Sequence, residues 1–168
     1  MNLQTAALKA NDSKIWNFIL NFSLLRKVHF NKPHRFWVNY ISPQKVVVRL
    51  PYKRSNMNHL KGIHACAMVT TSEYASGLLL LLRLNPKKYR LIMESLEAKY
   101  HYQGKTNSIT EFEINDEEFE RRVLNPLQKA DLVYLTCIVK TFDNKRNLLS
   151  TVTVNWQIKK WDKVKTAV

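Results

Sequence analysis

One carboxylate stands alone in the first half of this chain. Glu73 is the only acid between Asp12 and Glu94, and it lies inside the apolar run from Ile63 to Leu82. An unpaired charge on a buried helix costs several kcal/mol in lost hydration, so such an acid implies a partner or a task. Asn58 and His64, just upstream, could supply either. Burial raises the pKa of a glutamate toward neutrality, where it serves as a general base. The plainer alternative is a structural acid bonded to Ser or Thr, or paired with a basic residue. His29, His34, His59 and His101 do not cluster in a metal-ligand pattern, so no metal is expected. Cys66 has no assigned base in the sequence and reads as a small inert side chain rather than a nucleophile.

Composition narrows the classes. The chain has 168 residues, 45% of them hydrophobic, and a net charge of +14. That is one domain with a real core, not a disordered chain. Only three glycines occur, Gly62, Gly77 and Gly104, so neither a dinucleotide fingerprint nor a P-loop exists. Each glycine should mark a special turn or a close backbone approach. Cys66 and Cys137 are flanked by apolar residues and suit buried thiols in a reducing, cytoplasmic setting. The charge favours anionic partners: nucleic acid, an acidic membrane surface, or a phosphate-bearing ligand such as coenzyme A. Basic residues come in pairs, such as Lys53-Arg54 and Lys87-Lys88, with no longer block. Nucleic acid is therefore the less favoured partner, and a solvated basic surface explains the pairs equally well. No cleavable signal is read before Arg26-Lys27. Thr70, Thr71, Ser72 and Glu73 argue for a buried helix rather than a transmembrane segment.

The elements that would hold Glu73 follow from pattern. Asn11-Asp12-Ser13 caps a helix over Lys14 to Lys27, apolar nearly all round and so packed on two sides. Arg35 to Asn39 and Lys45 to Leu50 read as strands. Polar residues 51–58 form a loop, and a long helix runs from about Ile63 to Leu82 until Asn85-Pro86 ends it. Tyr89 to Gln103 fits strand or helix, although the following strand, Ser108 to Ile114, favours a strand partner. Asn115 caps a short helix from Asp116 to Leu124, with Glu118 at the reciprocal position and Pro126 as the stop. Leu132 to Phe142 and Leu148 to Trp161 form a hairpin in which Val152, Val154, Trp156 and Ile158 share one face. The class is α+β, an antiparallel sheet wrapped around one long central helix, with an extra N-terminal helix. The expected divisions are an N-terminal helical extension (1–33), the main domain (34–161) and a C-terminal tail (162–168).

That order resembles the hotdog fold. Asn58, Gly62, His64 and Glu73 resemble, in order and in the nine-residue His-to-acid interval, the motif of thioesterases of the phenylacetyl-CoA thioesterase type. Asn58-His59, Gly62-Ile63-His64-Ala65 and Glu73 are closer still to a subfamily of uncharacterised function in that superfamily. The resemblance implies an acyl-CoA hydrolase. In it, Glu73 is general base or nucleophile, Asn58 orients water or thioester, and His64 shapes the turn. Backbone N–H groups of Ala65 or Cys66 hold the oxyanion. It further implies no cofactor beyond the coenzyme A of the substrate, and a homodimer or dimer of dimers. Lys53, Arg54, Lys87, Lys88 and Arg90, at the two ends of the helix, are the candidates for the phosphates. Ala65-Cys66 stands where the family has Gly-Gly, and the added Cβ atoms narrow the acyl channel. A protein that binds acyl thioesters without turnover is therefore the alternative, and a basic nucleic-acid or membrane-surface binder the third reading.

Overall fold

The structure, a computed structural model, describes residues 3–164. Residues 1–2 of the expected N-terminal extension and 165–168 of the expected tail lie outside the described residues. The element order is α1 (Leu3–Asp12), α2 (Lys14–Lys27), β1 (Trp37–Ile41), β2 (Lys45–Leu50), α3 (Ala65–Arg83), β3 (Tyr89–Tyr100), β4 (Ser108–Glu113), α4 (Asp116–Phe119), α5 (Asn125–Lys129), β5 (Leu132–Phe142) and β6 (Leu148–Lys160). All strand pairs are antiparallel, in one six-stranded sheet of order β1-β2-β4-β5-β6-β3.

The central helix is apolar because the sheet wraps it. Leu78, Leu79, Leu80 and Leu82 are buried, facing Val133, Leu135, Val139, Val152, Val154 and Ile158 in one core. Period-two alternation sends the intervening residues of β5, Tyr134, Thr136 and Ile138, outward. The polar residues of α3 are satisfied without disturbing this packing. Ser72 Oγ donates to Met68 O at 2.9 Å, and Thr71 Oγ1 donates to the Ala67 and Met68 carbonyls. Thr110 Oγ1 donates to Thr71 and bonds Thr141 Oγ1, each at 2.9 Å, a buried hydroxyl chain from α3 through β4 to β5. Ser76 Oγ accepts from Trp156 Nε1 at 3.0 Å. Gly77 is what lets that ring approach: a Cβ there would sit 3.1 Å from two indole carbons.

Several boundaries differ from expectation for local reasons. A second N-terminal helix, α1, precedes the one read from the sequence, and Ser13 caps α2 by accepting from Trp16 N. β1 begins at Trp37 rather than Arg35, because Arg35 has φ 53° and closes a turn onto Asn31 O. The ambiguous segment is a strand, paired along its length with β6. Pro126 does not stop the helix after β4. A π-helical turn over Glu120–Leu124 has Asn125 N–H reach back five residues to Glu120 O, and that wider turn accommodates the ring before α5. Glu118 N–H donates to Asn115 Oδ1 as a cap should, but its carboxylate pairs with Arg122 at 2.7 Å instead of returning to Asn115.

The two sheet edges are treated differently. At β1, asparagine amides from the helices imitate a missing strand. Asn21 donates to Val38 O at 3.0 Å and accepts from Val38 N at 2.6 Å; Asn11 donates to Ile41 O at 2.7 Å and accepts from Ile41 N at 3.1 Å. At the other edge, β3 exposes Ile92, Met93 and Tyr100. Because Asn21 and Val38 are buried, Asn21→Ala should strand the Val38 N–H, while Val38 O keeps Asn17 Nδ2 at 3.0 Å, and cost about 1–3 kcal/mol in urea unfolding. A loss below about 0.5 kcal/mol would mean that water replaces the amide.

Candidate functional site

The start of α3 is held by a short polar scaffold. Asn56 is fully buried. Its Nδ2 donates to His34 O and Pro51 O, its Oδ1 bonds His34 Nδ1 at 2.8 Å, and its carbonyl accepts from His64 N at 2.8 Å. Asn58 ties off the next five residues: its Oδ1 accepts from Leu60 N and Gly62 N, both at 3.0 Å, and its N–H donates to Gly62 O. Lys61, at φ 56°, takes the left-handed position in that loop. Gly62 and Gly104 mark close approaches instead, since neither has positive φ and a Cβ on either would clash with Gln103 or with Leu149.

This scaffold presents His64 as the helix cap. Its Nδ1 accepts from Cys66 N at 3.1 Å, which places the ring proton on Nε2, and its carbonyl receives Ala67 N. The Cys66 N–H expected at an oxyanion site is thereby occupied. The Ala65 N–H has no acceptor among the described residues and lies at the positive end of the helix.

Glu73 lies two turns further along. Cys66, Thr70 and Glu73 recur at helical spacing on the stripe of α3 that the sheet leaves partly open. Cys66 is exposed, contrary to the expectation of a buried thiol, because it falls on this seam; Cys137 is buried, and burial pushes its thiol up to about 12. The Glu73 carboxylate makes no hydrogen bond or ion pair among the described residues, and burial raises its pKa above the usual 4.5. Tyr74 beside it is raised as well, by its own burial and then by the Glu73 charge. Helix rise puts Glu73 about 12 Å along the axis from Ala65. A partly buried carboxylate and an open N–H thus lie on the same helix, separated along its axis.

The remaining candidates divide by location. Lys53, whose Nζ donates to Pro33 O at 3.1 Å, and exposed Arg54 lie in the loop before α3. Lys87, Lys88 and Arg90 follow its other end, about 27 Å away along the axis. Lys88 sits over the Tyr89 ring, and Arg90 donates to Gln157. One chain therefore does not bring the two basic groups together. Neither of two surface cavities, of about 620 and 370 Å³, is lined by Glu73. Sequence reasoning missed Asn56, which looked like any polar loop residue, and gave no site role to Tyr100 of the Tyr100-His101-Tyr102 run, whose phenol is pushed up by burial and by nearby Cys66. The pairing of Tyr100 with Ser150 on β6 is invisible until the strands are aligned.

A family model described as a domain of unknown function (DUF4442) matches residues 21–162. The chain belongs to that family. No curated protein matches it significantly in sequence. Among solved structures, it is similar to a Pseudomonas aeruginosa protein of unknown function described as a probable thioesterase (TM-score 0.74, 16% identity, covering 81% of this chain and 90% of that one). It is also similar to a Staphylococcus aureus thioesterase, studied as a mutant (0.64, 14%, 79% and 99%), and to a Haemophilus influenzae thioesterase (0.63, 7%, 82% and 87%). The DUF4442 chain has the hotdog fold, a six-stranded antiparallel sheet around a long helix.

The isolation of Glu73 has a measurable cost. Its folded pKa exceeds its unfolded one, so the penalty is absent below the ordinary carboxylate range and complete once pH passes the raised value. Glu73→Gln should therefore melt like wild type near pH 4 and above it near pH 8. Equal melting temperatures at both would show that the carboxylate has a partner in solution.

Proposed function

We propose that the protein hydrolyses acyl thioesters of the acyl-CoA class, with Glu73 as general base and the Ala65 N–H as oxyanion donor. The observation that carries this reading is the partnerless, desolvated Glu73 carboxylate on the open seam of α3. Glu73 takes a proton from water as the water oxygen attacks the thioester carbonyl carbon. The Ala65 N–H receives the negative charge that develops on the carbonyl oxygen. Collapse breaks the C–S bond, and the thiolate recovers the proton from Glu73 to leave as free thiol. The His64 ring orients the helix start. The Asn58 Oδ1 is spent within its loop, so Nδ2 is the part of that residue left to position substrate.

The same reading has two copies sharing each site. β3 offers an open edge with exposed Ile92 and Met93, a template for continuing the sheet into a second chain. A two-fold axis at that edge would run two α3 helices antiparallel. Lys87, Lys88 and Arg90 of one copy would then approach Lys53 and Arg54 of the other, forming one basic rim for coenzyme A phosphates. The free thiols suit a cytoplasmic setting. The crowding of Ala65 and Cys66 at the helix start favours a second reading, binding without turnover, which would show as saturable acyl-CoA binding with no thiol release.

Thiol release from an acyl-CoA panel tests the enzyme. Glu73→Gln should lower kcat by about 10²–10⁴-fold, with the ascending limb of the pH profile lying above 4.5 in wild type. Ala65→Pro removes one N–H while keeping the helix, because proline is tolerated at the first helical position and His64 already has φ −66° and ψ 138°. It should cost about 10²–10³-fold. Turnover of no acyl-CoA by wild type would overturn the enzyme reading.

Mixing the two inactive variants tests the sharing. If Glu73 and the Ala65 N–H come from different copies, redistributed mixed dimers hold one intact site each, and about a quarter of wild-type activity returns. No recovery on verified mixing would place each site within one chain.

A further inference from the structure

We propose that α2 docks the protein on an anionic membrane surface, with its outward face entering the boundary between headgroups and acyl chains. The helix is apolar on both faces, unlike an ordinary surface helix, which turns polar residues outward. Its inward face carries buried Leu20, Asn21 and Leu24. The outward face carries Ile15, Phe18, Ile19 and Phe22, spaced i, i+3, i+4 and i+7, with exposures of 72%, 58%, 37% and 51%. None of these four is buried in the core, although the Phe18 ring lies 6.0 Å from that of Trp37. Attachment runs through Leu20 and Leu24, which pack in the core, and through Asn17 and Asn21, whose amides bond Val38 and Trp37. The sequence pattern demanded cover on two sides, and the fold supplies it on one.

Charge selects the occupant. From residue 13 to residue 72 the chain has ten Lys or Arg and no Asp or Glu. Lys14, Arg26 and Lys27 flank the apolar stripe and are exposed, and the Lys9 ammonium lies 4.6 Å from the Trp16 ring. An apolar stripe with a basic rim is what an interfacial helix presents: rings and aliphatic chains enter the acyl boundary while cations reach lipid phosphates. A second copy of this chain on the same face would set two such basic segments against each other, with Asp12, exposed beside Ser13, the nearest acid in sequence to offset them. The docking rests on residues remote from Glu73 and holds whether or not the chain turns over thioesters.

Flotation of the full-length protein with phosphatidylcholine vesicles, with and without about 30% phosphatidylglycerol, tests the proposal at physiological salt. Wild type should float with the anionic vesicles and at least tenfold less with the neutral ones. Phe18→Ser/Phe22→Ser, and separately Ile15→Asp at the most exposed of the four positions, should each lower partition about tenfold or more, as should Arg26→Glu/Lys27→Glu. Glu73→Gln should float like wild type, which separates this result from any failure of the hydrolase reading. Absence of wild type from the anionic vesicles, or equal flotation of all variants, would overturn the proposal. So would a fall in subunit number in the Phe18→Ser/Phe22→Ser protein without vesicle binding by wild type, which would identify the face as a contact between copies.

Discussion

A nineteen-residue helix that carries five consecutive leucines near its end, Leu78 to Leu82, has to be taken out of water, and the other elements answer to that constraint. A flat sheet would cover one side of it. The six strands instead curve around it and bury Ala75, Leu79 and Leu80 completely. The cost of a polar middle is met locally, by Thr71, Ser72 and Ser76 bonding carbonyls one turn back and by Thr110 and Trp156 reaching in from the sheet. What is left is a single seam, Cys66 to Thr70 to Glu73, where the cover stops. Beyond it the cover is interrupted chiefly at Leu81, which is exposed but carries no polar group.

The edges of the sheet explain the rest of the molecule. Unpaired strand edges invite association, and here one is closed and one is open. Closing β1 takes the side-chain amides of α1 and α2, so Asn21 turns inward beside Leu20 and Leu24 and a second apolar stripe of α2 is left to solvent. At β3 no helix amide plays that part among the described residues, and Ile92 and Met93 are exposed. Two features that look unrelated, an apolar outward stripe and a bare strand, follow from how one sheet ends on each side.

The helix start shows a similar dependence. His64 takes the Cys66 N–H, the Ala65 N–H is left without an acceptor among the described residues, and His64 is itself fixed by its N–H on the Asn56 carbonyl. Asn56 in turn is held by Pro51, five residues back, and by His34, which precedes both β1 and β2. The helix start is thus anchored on a fully buried amide whose bonds are costly to break.

Much of this was determined by the sequence alone. The length and polarity of α3, the strand alternation of β5 and β6, and the oddity of Glu73 are local properties, because period and hydration cost are written in adjacent residues. The order Asn58, Gly62, His64, Glu73 carried the resemblance that the hotdog fold bears out. Periodicity could not separate helix from strand at Tyr89–Tyr100, and only pairing with β6 decided it. Nor could Pro126 reveal the π turn that lets the helix pass it, since that depends on backbone bonding rather than residue type. Which N–H at the helix start is free, which face of α2 is bare, and that Cys66 meets solvent were decided by tertiary structure. Each depends on which neighbour arrives from elsewhere in the chain to take a bond or cover a surface, and spacing along one segment holds no record of that.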